Sequence, residues 1–320
     1  MNFYNKTTKL KEIIHLINLN VKSISNILFF YFFICSFSGI SQDSIKHSIS
    51  PVNRSRLIGV SIGQGSLIGL SGVGLHSLWY SNKESSKFHF FNDFGNWKSM
   101  DKMGHIYSTY QVSKSSSQLF KWSGMNPEKS MWLGSSIGIG VQTMIEIMDG
   151  YNSGWGFSIS DMCSNILGAG LFISQQKMFN EQIFIPKFSY HPTPYAEFRP
   201  EVLGKSHAER LIKDYNGQTY WLSFSIKNVF KKSNMPDWLC FSIGYSVDKK
   251  LIGNSDVYIN DNTSFHAKNE FFISLDIDFK KIRCKNTFLK FLLTQLNYLK
   301  IPFPAISFSN KSLTFHPLYF

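Results

Sequence analysis

The stretch MDKMGHIYSTYQ, residues 100–111, decides how the rest of the chain is read. It reads as the opening of a helix that runs to Trp122 and stops at Gly124, a residue suited to ending a helix. Within it Asp101 and His105 stand four apart, on one helical face. A carboxylate and an imidazole paired in a mostly apolar setting make this segment a structural element and a candidate site at once.

Working outward, NPEKS opens a second helix: Asn126 caps it, Pro127 takes the first helical position and Glu128 meets the positive end of the dipole. That helix continues through MWLGSSIGIGVQTMIEIMDG, with Gly134 and Gly138, then Ser136 and Gly140, spaced four apart. Another begins at Ser160 as SDMCSNILGAGLFISQQKMF. Upstream, residues 57–82 carry no Asp, Glu, Lys or Arg. About 26 residues at 1.5 Å each would span a hydrocarbon core of roughly 30 Å. Gly59, Gly63, Gly65 and Gly69 give this run the small-residue spacing that lets helices approach closely. A glycine-rich strand pair is the alternative. The expectation is a four-helix, apolar, glycine-rich bundle over residues 52–185, embedded in or lying on a membrane.

After about residue 186 the periodicity changes from helical to two. TYWLSFSI, LCFSIGY and FFISLDIDF each place alternate apolar residues on one face, with Cys240, Ser242 and Gly244 opposite in the second and Ser274, Asp276 and Asp278 opposite in the third, the pattern of antiparallel strands. Residues 286–299 read as a short amphipathic helix and IPFPA as an extended connector. The terminal Phe320 after alternating residues hints at an outer-membrane barrel. Pro317 inside the last strand, the helix before Leu299 and a count of about six strands argue instead for a β-rich domain over residues 186–320. The fold class expected is therefore α+β: a helical bundle followed by an antiparallel β-rich domain.

Composition sets the surroundings. Charged residues make up 17% of the chain and aromatic residues 16%, with 30 Phe among 320 residues. The net charge of +12 suits an anionic surface. The lysines are scattered rather than gathered in base-reading motifs, so the expected partner is membrane lipid and not nucleic acid. Lys6, Lys9, Lys11 and Lys22, the apolar run NILFFYFFICSFSG and then GISQ give the layout of an export signal over residues 1–41, cleaved after Ser41. A first membrane helix that stays attached is the alternative. Phe32, Phe33 and Ile34 before Cys35 do not suit lipidation. The remaining cysteines, Cys163, Cys240 and Cys284, make neither a disulfide framework nor a cysteine zinc site. The chain is expected to be exported and held on the periplasmic side of the cell envelope, membrane-associated, at the inner or the outer membrane.

The ionisable groups of the helices form a constellation. To Asp101 and His105 the next helix adds Glu146 and Asp149 near its C-terminal end, and the last adds Asp161 and Asn165 at its start. Antiparallel packing across a short loop would gather them at one end of the bundle. Three readings follow. Carboxylates with one histidine suit a hard or borderline divalent ion such as Mg, Mn or Zn, able to polarise an oxygen of a lipid-linked substrate. Without a metal, His105 could serve as base or acid, oriented by Asp101 beside a Glu146 raised by its apolar setting. Or the groups pair with one another and fix helix register in a structural or scaffold protein. No phosphate loop, Gly-x-Ser-x-Gly elbow or His-Glu-x-x-His is present. The residues alone name no reaction and no cofactor.

DKMGH, EIMD and SDMCSNILGAG resemble the pattern of the YfiM-like family of predicted periplasmic lipoproteins, a domain of unknown function, and more distantly VanZ-like membrane proteins. The likeness runs over about residues 97–176 through Asp101, Lys102, His105, Glu146, Asp149, Ser160, Asp161, Asn165 and Gly168. A longer form from Bacteroidetes-type bacteria is similar over most of the chain, including FHFFND, DYNGQTYWLS and FHPLYF. The resemblance implies an envelope location and supplies no reaction. The chain lacks the Glu-x-x-Gln and Arg of VanZ-like proteins, so it does not imply their activity.

Overall fold

In the computed structural model the described residues are 51–75, 84–229, 235–260 and 263–320. The expected export signal over residues 1–41 lies outside them, as does the end of the first apolar run. The fold is mixed α+β, with its antiparallel sheet in the C-terminal part.

Four long helices come first: α1 (Arg54–Leu75), α2 (Met100–Trp122), α3 (Pro127–Gly150) and α4 (Ile159–Phe179). The caps act as their chemistry demands. The Asn126 side chain accepts from the backbone N–H groups of Glu128 and Lys129, and Ser158 does the same for Asp161. Helices α2, α3 and α4 pack against one another. They come close because a glycine faces the neighbour's backbone: a Cβ on Gly134 would lie 2.4 Å from the Ser117 nitrogen, and one on Gly168 would lie 2.4 Å from the Ile106 oxygen.

The interior between these helices differs from the apolar one expected. Helix α2 buries Thr109, Gln111, Ser113, Lys114 and the run Ser115, Ser116 and Ser117. Small hydroxyl side chains permit the close approach that larger apolar ones would block. Helix α1 meets the others less closely, through Val60 on Leu119 and Phe120 of α2 and through Gly72 beside Met144 of α3. Its glycines at 59, 63, 65 and 69 meet nothing within 4 Å among the described residues, so their spacing makes no helix contact here. Over Arg54–Gly74, α1 is the one described helix long and apolar enough to cross a membrane.

The sheet runs β1 (Phe184–Tyr190), β2 (Gln218–Ser225), β3 (Leu239–Asp248), β6 (Lys268–Ile277), β7 (Phe303–Ser309) and β8 (Ser312–Tyr319), in that spatial order and antiparallel throughout. A separate hairpin joins β4 (Val257–Asn260) to β5 (Thr263–His266). Short helices α5 (His207–Lys213) and α6 (Thr287–Leu296) fill the connections. IPFPA, expected to be a connector, supplies the start of β7 from Phe303.

The sheet is rolled. Neighbouring strands lie about 4.8 Å apart, and β8 stands four places from β2, yet Tyr319 Oη lies 3.1 Å from Thr219 Oγ1. The free edge of β1 is taken by the chain entering β7: Phe188 donates to the Tyr298 carbonyl and Lys300 donates to that of Phe188. Pro317 does not break β8. It lies in the outermost strand where the register with β7 shifts, a place that needs no ladder donor.

Which face is inside is the larger surprise. Across the sheet Ser223, Ser242, Ser274 and Ala305 stand in register on the inner face. There too a fully buried Lys187 pairs with a fully buried Asp276 at 2.8 Å, and Ser223 donates to Asp276 at 2.6 Å. The outer face carries Ile243, Ile273, Ile306 and Phe315 in one cross-strand row, and Phe271, Phe308 and Leu313 in the next. All seven are exposed, Ile273 at 51% and Phe315 at 64%.

Helices meet sheet where Tyr107 of α2 packs on Phe188 and Tyr220, with Met100 buried beneath. The entry to α2 is strained: Trp97, Lys98 and Ser99 all have φ between 52° and 61°. Left-handed backbone costs roughly 1–2 kcal/mol for each such residue. Its ties are the Trp97 N–H to the Gly253 carbonyl, the Tyr245 hydroxyl to the Lys98 carbonyl, and the Lys98–Asp256 ion pair. This turn sets the rotation of α2, and with it the direction in which Asp101 and His105 point.

Candidate functional site

The site assembles where the start of α2, the end of α3 and the start of α4 converge. His105 is fixed first. Asn165 Oδ1 lies 2.9 Å from His105 Nδ1 and 3.1 Å from the Thr109 hydroxyl, whose proton also has the His105 carbonyl at 2.8 Å. An amide oxygen only accepts, so Nδ1 carries the proton and the neutral ring leaves Nε2 bare.

Around Nε2 stand Glu146 Oε1 at 3.5 Å, Asp101 Oδ1 at 3.8 Å and Asp161 Oδ1 at 3.9 Å. These are too long for N–H···O hydrogen bonds, which fall near 2.7–3.2 Å. Glu146 Oε1 is buried and accepts no hydrogen bond, while the buried Asp161 Oδ1 has the Lys102 ammonium at 2.8 Å. One ligand atom from each of Asp101, His105 and Asp161 lies within 4.8 Å of the other two. Two atoms each about 2.1 Å from a shared ion would stand roughly 3–4.2 Å apart. The separations around Nε2 fall in that interval.

A second layer holds this group. Lys102 reaches Asp93 and Asp161 at 2.8 Å each and Asp101 at 3.4 Å. Asp93 accepts from Ser158 Oγ at 2.6 Å and Ser160 Oγ at 2.9 Å. The Ser158 N–H donates to Glu146 Oε2 at 3.0 Å, and the Tyr215 hydroxyl donates to Asp101 Oδ1 at 3.1 Å. Access is from one side: the Asp101 side chain is 30% exposed and that of Glu146 is 1%.

The electrostatics show a surplus of negative charge. Four carboxylates, those of Asp93, Asp101, Glu146 and Asp161, face one ammonium and one imidazole. Burial pushes the Glu146 carboxyl up to about 8 against the pull of His105. Burial, then the charge of Asp101, pushes Asp161 up to about 6. Asp93 behaves oppositely: burial works to raise it, but hydrogen bonds from Lys102 and Ser158 hold it down at about 2. Burial works against the charged forms of His105 and Lys102, yet the surrounding carboxylates raise both. The cluster favours holding protons, which is how a site with too few positive charges behaves.

Of the six residues expected here, Asp101, His105, Glu146, Asp161 and Asn165 come together. Asp149 is not among the carboxylates within 4.0 Å of His105 Nε2. It stands one turn beyond Glu146 on α3, where its charge helps to raise that group. Asp93, Ser158 and Tyr215 are additions that helix periodicity could not reveal, because all three come from loops or turns. The signal for two of them was the likeness of FHFFND and DYNGQTYWLS to a longer family form. Lys102 stood in the DKMGH motif, but nothing in that spacing showed it reaching three carboxylates.

The fold and site define an α+β protein with a buried carboxylate–imidazole cluster at a three-helix junction. Residues 89–176, under a third of the chain, match the family model described as "Predicted periplasmic lipoprotein (DUF2279)". That match spans Asp93 and every expected site residue. No curated protein and no solved structure matches the chain.

Proposed function

We propose that this chain is an exported cell-envelope protein whose three-helix junction holds one divalent cation, with His105 Nε2, Asp101 and Asp161 as ligands and Glu146 completing the set. The observation that carries the reading is the buried, bond-free Glu146 Oε1 facing His105 Nε2 at a distance too long for hydrogen bonding, with Asp101 and Asp161 oxygens beside the same nitrogen. Asn165 fixes the ring from behind, as the outer shell of a histidine-ligated metal does. Carboxylates with one imidazole fit Mn, Zn or Mg, and a dication offsets most of the surplus charge. The envelope location rests on the description of the matched family. When bound, such an ion supplies a positive centre on the exposed Asp101 side, able to hold or polarise a phosphoryl oxygen of an envelope lipid.

A structural reading has its own support, since Lys102 already ties Asp93 to Asp161 and Asp101. One experiment separates the two. The protein is stripped with chelator in mild detergent, and thermal unfolding is followed as Mn, Zn or Mg is restored. Ligand at a hundred times its Kd adds about 2.7 kcal/mol. A rise in Tm that saturates with ion, and that His105→Ala abolishes, supports the cation site. No shift with any of the three ions, together with a His105→Ala variant much weaker than the parent, leaves a clasp between helices.

A further inference from the structure

The rolled sheet is built with its polar side in. Its inner face holds the serine row and the buried Lys187–Asp276 pair, while its outer face carries two unbroken cross-strand apolar rows. A sheet in water alternates the other way. Here the outer face is apolar without a break, while the interior mixes a Trp221–Phe272–Tyr319 aromatic cluster with hydrogen bonds and an ion pair. An unbroken apolar outer face around a partly polar interior is what a hydrocarbon solvent selects.

Length agrees. Strands β3 and β6 have 10 residues each, and a tilted strand needs about 9–11 to cross a bilayer core. The rows lie on β3, β6, β7 and β8, whereas β1 and β2 are met by the start of α2 through Tyr107. We infer that the outer face of β3, β6, β7 and β8 is immersed in lipid acyl chains, with the helix-junction site outside those strands.

The inference is independent of the cation and of α1, so the test must read the sheet itself. In a background with the cysteines replaced by serine, spin labels are placed singly at Ile273→Cys, Ser274→Cys, Ile306→Cys and Phe315→Cys in the full chain. Each is reconstituted into phosphatidylcholine–phosphatidylglycerol vesicles. Accessibility to oxygen, which partitions into acyl chains, is compared with accessibility to a water-soluble nickel chelate. Labels at 273, 306 and 315 should be open to oxygen and shut to nickel, with position 274 shielded from both. Nickel access at the outer positions in vesicles would overturn the inference. So would spin–spin broadening there that vanishes on dilution with unlabelled protein, because a second copy would then cover the face. Should replacing the buried Cys240 prevent folding, the same readout is taken with Cys240 retained, since it is fully buried from label.

Discussion

His105 owes its chemistry to a neighbour that has none. Asn165 cannot titrate, yet by accepting from Nδ1 it decides that in the neutral ring Nε2 is the unprotonated nitrogen, facing three carboxylates. The cost shows in their proton affinities. Glu146 at about 8 and Asp161 at about 6 hold protons more tightly folded than unfolded, where their ordinary values are 4.5 and 3.8. A carboxyl raised by folding stabilises the native state below its unfolded value and loses that contribution as pH rises through the folded one. His105, also raised, acts in the same direction. The ion-free protein should therefore be less stable at pH 8 than at pH 5, and added cation should matter most at pH 8. Thermal melts at both values check this, and equal stability would contradict it. Glu146→Gln removes the charge that burial penalises. We expect the ion-free variant to match the parent at pH 8 or exceed it by about 1 kcal/mol, and to lose the gain from added ion.

The elements were legible where local chemistry dictates them. Asn126 and Pro127 open α3, Gly124 follows the end of α2, and period-two alternation marked β2, β3 and β6 because strand geometry leaves no other solution. Contacts between elements were not legible. Spaced glycines in α1 and α3 look alike in sequence, yet Gly134 abuts α2 while Gly140 and the α1 set of 59, 63, 65 and 69 meet nothing within 4 Å among the described residues. Gly134→Ala should accordingly cost about 1–3 kcal/mol by overpacking. Gly140→Ala should be neutral or gain about 0.5–1 kcal/mol from helix propensity. Denaturant unfolding of the two variants decides it, and equal effects would mean that α2 and α3 do not pack as described. The site was legible only in part for the same reason. Helix spacing gathers Asp101 with His105, whereas Asp93 and Tyr215 arrive from loops.

At the scale of the molecule, alternation announces a sheet but not which side faces in. The inner face depends on Lys187 meeting Asp276 across three strands, a relation between residues 89 positions apart that no local pattern encodes. Breaking that pair should be costly. Lys187→Ala strands a buried carboxylate, and a loss of about 3–5 kcal/mol is expected. A Lys187→Met, Asp276→Leu double variant, which removes both charges, should recover most of it. Unfolding measurements that found the single variant as stable as the parent would mean the sheet interior is open to water. The helix junction and the rolled sheet share one economy: charge is kept inside and balanced there, with the helix end short of one counterion.

That shortage is most directly tested by titrating Mn into chelator-stripped protein by calorimetry, beside Asp161→Asn. The account expects one ion per chain in the parent and no measurable binding in the variant. A parent that binds no ion, or a variant that binds it as tightly, would contradict the cation site.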